Sequence, residues 1–483
     1  DDDRRWYRYH RLFADLLQQR LRQTEAALVP SLYARASEWC EGHGLLGEAV
    51  DYALAGRDFG RAAALIDGCA ETVWLAGNNA LLLRWLAALP AVVADARPRL
   101  GVFHAGSLFL AGRLRDAAAR LAAVERTVAA NPGGAEAALA EGMAAALGSL
   151  VAVFRGDVEA AGRLARRALS ALPAERPLWR GFAQVALGDT LCLGGDLAAG
   201  RGAYAEALAS AERAGDRYFA MVASRRLAGL QQAQGRLRQL IEHARQQLSQ
   251  LQGGETAQPL EVVWLAALAD ALCERNDLAE AAQHARRARE LAERGDNVPV
   301  RLAAYRALAR VLLAQDDLSA AAEVVDVYER ALPRQDAALA AHLAEAAVAL
   351  RLDLWIKQGN LAQAAALCRE RGLGPADDPP LTRQAEYALF AQLLIATGED
   401  ASAEGLLGRL LRPAEAANLD RVVIELLALR AVAQQGQGKT GEALASLGRA
   451  LALAEPEGYV RAFLARGQPL AHLLREAARR GVH

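Results

Sequence analysis

Gly194-Gly195-Asp196-Leu197-Ala198-Ala199-Gly200 is the stretch whose reading decides the fold. Before it, Ala186-Leu187-Gly188-Asp189-Thr190-Leu191-Cys192-Leu193 carries apolar side chains at helical spacing; after it, a second such run ends at Tyr204-Ala205-Glu206-Ala207-Leu208. The spacing predicts two amphipathic helices joined by a tight Gly-Asp turn, with small residues where the helices cross. The turn returns at Gly112, Gly156, Gly235, Asn276, Asp316, Gly359, Gly398 and Gly438, and the gaps from Gly112 onward are 44, 39, 40, 41, 40, 43, 39 and 40 residues. Self-similarity at a near-constant period of this size is the signature of a stacked repeat array.

A chain of 483 residues is too long for one compact core. A solenoid escapes that limit, because each repeat packs on its neighbours only. Apolar residues make up 53% of the chain, mostly Ala and Leu, which suits close helix contacts; runs rich in Val, Ile or Thr are few, which argues against strands. The expected fold is all-α: tetratricopeptide-like helical hairpins with a period of about 40, stacked into a right-handed superhelix with more than about three-quarters of the residues helical. In the tetratricopeptide pattern a small residue of the first helix faces the second. Gly188 takes that position, and Ala228, Ala269, Ala309 and Ala391 match it in later repeats.

The formal net charge is −1, which argues against DNA binding by bulk electrostatics. Positive charge is nearly all arginine; Lys357 and Lys439 are the two lysines. Cys40, Cys69, Cys192, Cys273 and Cys368 are dispersed without a Cys-x-x-Cys pair, which reads as reduced, buried and cytoplasmic. No apolar run is expected to reach the roughly 20 residues of a membrane helix. The abrupt start at Asp1-Asp2-Asp3 reads as the edge of an excised fragment.

The punctuation divides the chain into four segments. Residues 1–30, with Trp6-Tyr7-Arg8-Tyr9-His10-Arg11-Leu12-Phe13 and then Leu16, Leu17 and Leu21, read as the remnant of an upstream module. Residues 31–98 read as a helical connector in which Pro90 and Pro98 stop helices. Residues 99–455 hold nine hairpins, with irregular loops at Asn131-Pro132-Gly133-Gly134, at Gln252-Gly253-Gly254-Glu255, and from Gly374-Pro375 to Pro379-Pro380. Residues 456–483 read as a linker toward a further domain.

Three blocks carry a family resemblance. The first is 6–21 with Ala36-Ser37-Glu38-Trp39 and Gly44-Leu45-Leu46-Gly47-Glu48-Ala49-Val50-Asp51-Tyr52-Ala53-Leu54. The second is 85–90 followed by Arg97-Pro98-Arg99-Leu100, and the third is 450–464 with Pro469 and Leu473-Leu474. Together they resemble the central region of the large, ATP-binding, MalT-like LuxR-type transcription regulators. The resemblance implies an upstream ATPase module, a tetratricopeptide superhelix that senses an inducer, and a downstream helix-turn-helix. This chain holds the middle part; ATP would belong to the upstream module, and no cofactor is expected in this one.

No catalytic constellation is evident. Gly436-Gln437-Gly438-Lys439-Thr440 brushes a relaxed phosphate loop, but such a loop follows a strand, whereas residues 423–432 read as helix and Gly438 is the periodic turn glycine. The eight histidines form no His-Glu-x-x-His run and pair with no cysteine at ligand spacing, so neither metal binding nor catalysis is expected.

The inner face is more informative. First helices of tetratricopeptide hairpins line the groove through positions 2, 5, 9 and 12. Counting each turn residue as position 15 places Asp189, Cys192, Arg225, Gln232, Asp270, Arg306, Arg310, Asp353, Gln392 and Glu425 inward. Of these, Asp189, Arg225, Asp270, Arg306, Arg310, Asp353 and Gln392 are the candidate ligand-binding residues. Alternating carboxylates and guanidinium groups can hydrogen-bond a polar ligand, or they can simply pair with one another across repeats. Trp264, Trp355, Tyr305, Tyr387 and Phe390 lie on or beside the same helices and read as inter-repeat core.

Two functions follow. One is a cytoplasmic inducer-sensing domain, not an enzyme, in which a small effector shifts the superhelix, relieves contacts with the chain's own ATPase module and permits self-association. The other is a scaffold that docks a partner protein or peptide, a regulatory protein among them. Docking of a two-carboxylate peptide tail would need inward lysines, and neither Lys357 nor Lys439 takes such a position. No nucleic acid or membrane partner is expected.

Overall fold

In a computed structural model of the chain, the residues described are 11–481, apart from Gly77, 131–132, 252–257, 296–297, 333–336 and 381–382. Trp6 to His10, Asn131-Pro132 and Gln252 to Glu255 therefore lie outside the described residues. The chain is 82% helical, and no strand occurs among the described residues.

Two compact units form: 1–110 with 116–144, and 111–115 with 145–483. The division at 144/145 falls more than a repeat after Arg99, where the regular period begins.

In the first unit Val29–Gly42 turns through Gly44 into Leu46–Ala55, and Arg57 leads into Phe59–Leu75. Gly44 and Arg57 both have positive φ. Ser37 Oγ donates to the Ala49 carbonyl at 2.8 Å, tying the first two together, and Trp85 Nε1, from the following helix Asn79–Ala88, donates to Asp51 at 2.9 Å. Several large apolar side chains of this unit stay exposed, among them Leu16, Leu28, Leu32 and Trp39.

Among the described residues, nine helical hairpins follow one another from Pro98 onward. Their first helices are Pro98–Leu110, Ala135–Phe154, Pro177–Leu193, Arg217–Ala233, Gln258–Glu274, Val298–Ala314, Ala337–Lys357, Gln384–Ala396 and Asp420–Gly436. The turn residues explain the period. Every one, including the non-glycines Asn276 (φ 68°) and Asp316 (φ 64°), is left-handed. The residue after it donates its N–H back across the helix end: Asp196 to Leu191 O at 2.9 Å, Asp277 to Leu272 O at 2.9 Å, Lys439 to Gln434 O at 2.9 Å. This is the Schellman helix stop, in which the left-handed residue satisfies the last carbonyls. In three hairpins the next residue, Asp157, Asp196 or Asp317, then caps the second helix through its carboxylate. One short motif thus ends one helix and begins the next.

The crossing positions are as tight as the pattern requires. A Cβ on Gly188 would lie 2.5 Å from the Tyr204 ring, and Ala228, Ala269, Ala309 and Ala391 are fully buried.

One expectation needs correction. Ala135–Phe154 is 20 residues long and apolar enough, by length and composition, to cross a membrane. Most of its apolar stretch, 61%, is buried inside the fold, so its apolar character serves packing.

Candidate functional site

Within the second unit the hairpins from Arg217 onward curve until the last meets the fourth. A Cβ on Gly235 would lie 2.9 Å from Asp420 Cβ. The tail after the ninth hairpin closes the junction. Val460 N donates to Glu274 O at 3.0 Å, Arg238 N to Glu457 at 3.0 Å, and Tyr459 Oη lies 3.5 Å from Gln232 O. Residues some 185 to 227 apart in sequence therefore meet across one interior.

That interior is charged. Asp270, fully buried on Gln258–Glu274, accepts from Arg310 Nη1 at 2.8 Å. Arg306 Nη2 stands 2.9 Å from its other oxygen, a charge contact without hydrogen-bond alignment. Glu274, one turn further along, takes Arg310 Nη2 at 2.8 Å and Arg421 Nη2 at 3.1 Å. Burial pushes both carboxyls up, but the surrounding guanidinium groups outweigh it and hold both below their ordinary values. These partners sit about 40 residues apart because successive first helices stand side by side.

The candidate residues divide as follows. Asp270, Arg306 and Arg310 form one cluster. Asp189 is bound instead by Tyr204 Oη at 2.6 Å and by Arg226 Nη2 at 3.1 Å; Arg226, not the candidate Arg225, meets it. Gln392 accepts from Arg466, which also reaches Glu425 at 3.1 Å. Cys192 lies at a helix crossing, since a Cβ on Gly200 would fall 2.3 Å from its Sγ. Gln232 contributes its backbone carbonyl to Tyr459.

Two candidates have no ion-pair partner among the described residues. Arg225 stands in the field of Arg306, Asp270 and Arg226; burial first, and then Arg306, push its guanidinium down to about 10. Asp353 faces Lys357, Arg466, Glu425 and Arg310 without pairing, and burial pushes its carboxyl up. Both side chains stay partly exposed within the curve of the hairpins.

Counting from the turn did not reach Arg226, Glu274, Arg421, Tyr459 or Arg466. The first two flank the inward stripe by one or a few residues. The others come from the closure of the curve, for which the sequence carries no local signal.

Lys439 is a surface group: its Nζ donates to Glu404 at 2.8 Å, after the helix Asp420–Gly436, so the Gly438-Lys439-Thr440 segment is a helix-to-helix turn. Lys439, Gln434 and Gln437 hold the Glu404 carboxyl down at about 2.

Hairpin repeats of constant period, left-handed turns and a charge-lined inner face define a tetratricopeptide-type repeat protein. Residues 142–480 match the family described as MalT-like TPR region, and residues 1–29 match the MalT winged helix domain. The first match covers most of the chain, and the chain belongs to that MalT-like family. It is 32% identical over 200 residues to the HTH-type transcriptional regulator MalT of Cronobacter sakazakii, covering 41% of this chain and 21% of that protein. It is 37% identical over 100 residues to the serine/threonine-protein kinase PknK of Mycobacterium tuberculosis, covering 21% of this chain and 9% of that one. The chain thus spans about a fifth or less of the length of these curated relatives. Among solved structures, yeast Tom70 covers 94% of this chain and 98% of its own at 12% identity and a TM-score of 0.34. A Rap protein complexed with competence and sporulation factor covers 80% and 99% at 12% identity and a TM-score of 0.40. At these scores nothing is transferred from either. The matching family is a repeat region, not a catalytic one.

Proposed function

We propose that this chain is the inducer-sensing region of a MalT-like transcription regulator, binding one small effector inside the curve formed by the fourth to ninth hairpins. The observation that carries the reading is the interior itself. Charged groups from several first helices converge there, and two of them, Arg225 and Asp353, lack an ion-pair partner among the described residues. Sites that recognise polar molecules supply a few convergent polar groups in a recess of this kind. The remaining pairs, such as Arg310 with Asp270 and Glu274, hold the helices in register around it.

The same closure supports coupling. Glu274 holds Arg421 by its side chain and Val460 by its carbonyl, so a ligand that shifts the Gln258–Glu274 helix acts directly on the tail. A ligand drives such a shift only to the extent that it binds one arrangement better. In the whole regulator, the readout would be release of the upstream ATPase module, self-association and promoter activation in the cytoplasm. The tail's occupation of the junction disfavours the alternative, a scaffold channel for an extended peptide.

The test is a thermal-shift screen of the chain against a metabolite library, followed by calorimetry of each hit. The expected result is one site per chain, weakened roughly 5- to 150-fold by Arg306→Ala or Arg310→Ala in protein that still folds. Full affinity in both variants would move the ligand out of this interior.

A further inference from the structure

The interior charges do not cancel, and the imbalance points to the chemistry of the ligand. Four guanidinium groups, those of Arg225, Arg306, Arg310 and Arg421, surround two carboxylates, Asp270 and Glu274. The next pairs outward cancel internally: Arg226 is matched by Asp189, and Arg466 by Glu425. Asp353 lies further along, where Lys357 and Arg466 act on it more strongly than Arg310 does. The centre therefore carries two positive charges in excess of its own carboxylates, in a partly dehydrated setting where an unmatched ion is costly.

The excess is localised. Arg310 spans both carboxylates, and Arg421 is held by Glu274. Arg306 has one contact without hydrogen-bond alignment, and Arg225 has no ion-pair partner among the described residues. These two stand on the fourth and sixth first helices, Arg217–Ala233 and Val298–Ala314, on either side of the fifth, Gln258–Glu274, which carries Asp270. Guanidinium forks pair with phosphate and carboxylate oxygens two bonds at a time, which suits two under-used forks converging on one anion.

We propose that Arg225 and Arg306 form the recognition pair for a small molecule carrying a dianionic group, a phosphate monoester or two adjacent carboxylates. The proposal rests on the effector-sensing reading and gives it a ligand class. A phosphate monoester carries about −1.5 to −2 charge at neutral pH, which matches the excess. Neutral molecules of the same size would leave the imbalance in place.

The experiment titrates inorganic phosphate, glucose 6-phosphate and citrate, with glucose as the neutral counterpart, into the full chain by calorimetry and thermal shift at low salt. The variants are Arg225→Gln, Arg306→Gln and the surface control Arg449→Gln, whose partner is the exposed Glu415. Because Arg225 stands beside two other arginines, Arg225→Gln is expected to melt at the same temperature as the parent or higher. At least one of the anions is expected to bind and stabilise the parent and the control, with affinity falling roughly 10- to 100-fold in Arg225→Gln. Equal anion affinity in Arg225→Gln, or no stabilisation by any of the three anions, overturns the proposal. If glucose or a neutral library hit binds instead and loses affinity in Arg310→Ala, the dianion assignment fails while the effector-sensing reading stands. If no library compound binds at all, both fail.

Discussion

Replacing Asp270 by Asn tests the charged centre at its most deeply buried carboxylate. The carboxylate is fully buried and stands 2.8 Å from Arg310 and 2.9 Å from Arg306. Removing one member of a buried ion pair costs about 3–5 kcal/mol, because the partner's charge is left unmatched. Two features reduce that figure here. Arg306 and Arg310 keep 31% and 24% of their side-chain surface, so water recovers part of the loss, and Arg310 retains Glu274. The expected loss is therefore about 2–3 kcal/mol. Urea unfolding followed by circular dichroism measures it, with hydrogen exchange locating the effect in residues 258–274 and 298–314. The sign with pH follows from the depressed carboxyl. Its folded value lies below the ordinary 3.8, so its stabilisation is present above that value and is lost as pH falls through the folded one. The gap between parent and Asp270→Asn should thus close in acid. Adding Arg225→Gln should restore part of the loss, since it removes a charge that Asp270 had offset. A loss under about 0.5 kcal/mol, the range of an ordinary surface substitution, would refute the reasoning.

Other predictions follow from the same geometry. Gly188→Leu should cost about 1–3 kcal/mol, because a Cβ there already lies 2.5 Å from the Tyr204 ring; an unchanged melting curve would contradict the crossing. Asp353→Asn should stabilise the chain at pH 7, because burial raises the folded carboxyl above its unfolded value and its ionisation then opposes folding; the gain should vanish below that unfolded value, as urea midpoints across pH would show. Purified protein should show no ATP hydrolysis that depends on Lys439, a surface partner of Glu404; activity lost in Lys439→Ala would contradict the turn assignment.

The repeat was legible because its signal is local. A left-handed residue every 40 or so positions, followed in several hairpins by an aspartate cap, can be read from Gly195-Asp196 and found again at Gly156-Asp157 and Asp316-Asp317. The inward stripe was legible in the same way, since Asp270, Arg306 and Arg310 follow from turn counting alone. Which inward groups pair is another matter. Asp189 chose Arg226 over Arg225 by one residue, about 100° around a helix, which depends on how each helix is rotated. Arg421, Tyr459 and Arg466 enter through the accumulated curvature of several hairpins, and small rotations per repeat leave no mark in any single one. The membrane-length helix was missed for the opposite reason: Ala135–Phe154 was read for its period rather than for its continuous apolar length.

Hydrogen exchange with and without a bound effector tests the central claim most directly. Protection is predicted along the inward first helices at 217–233, 258–274 and 298–314, together with the tail at 457–466, and no change is predicted in residues 29–110. Protection confined to residues 29–110, or spread along the outer second helices with 258–274 and 298–314 unaffected, would contradict an effector site inside the curve of the hairpins.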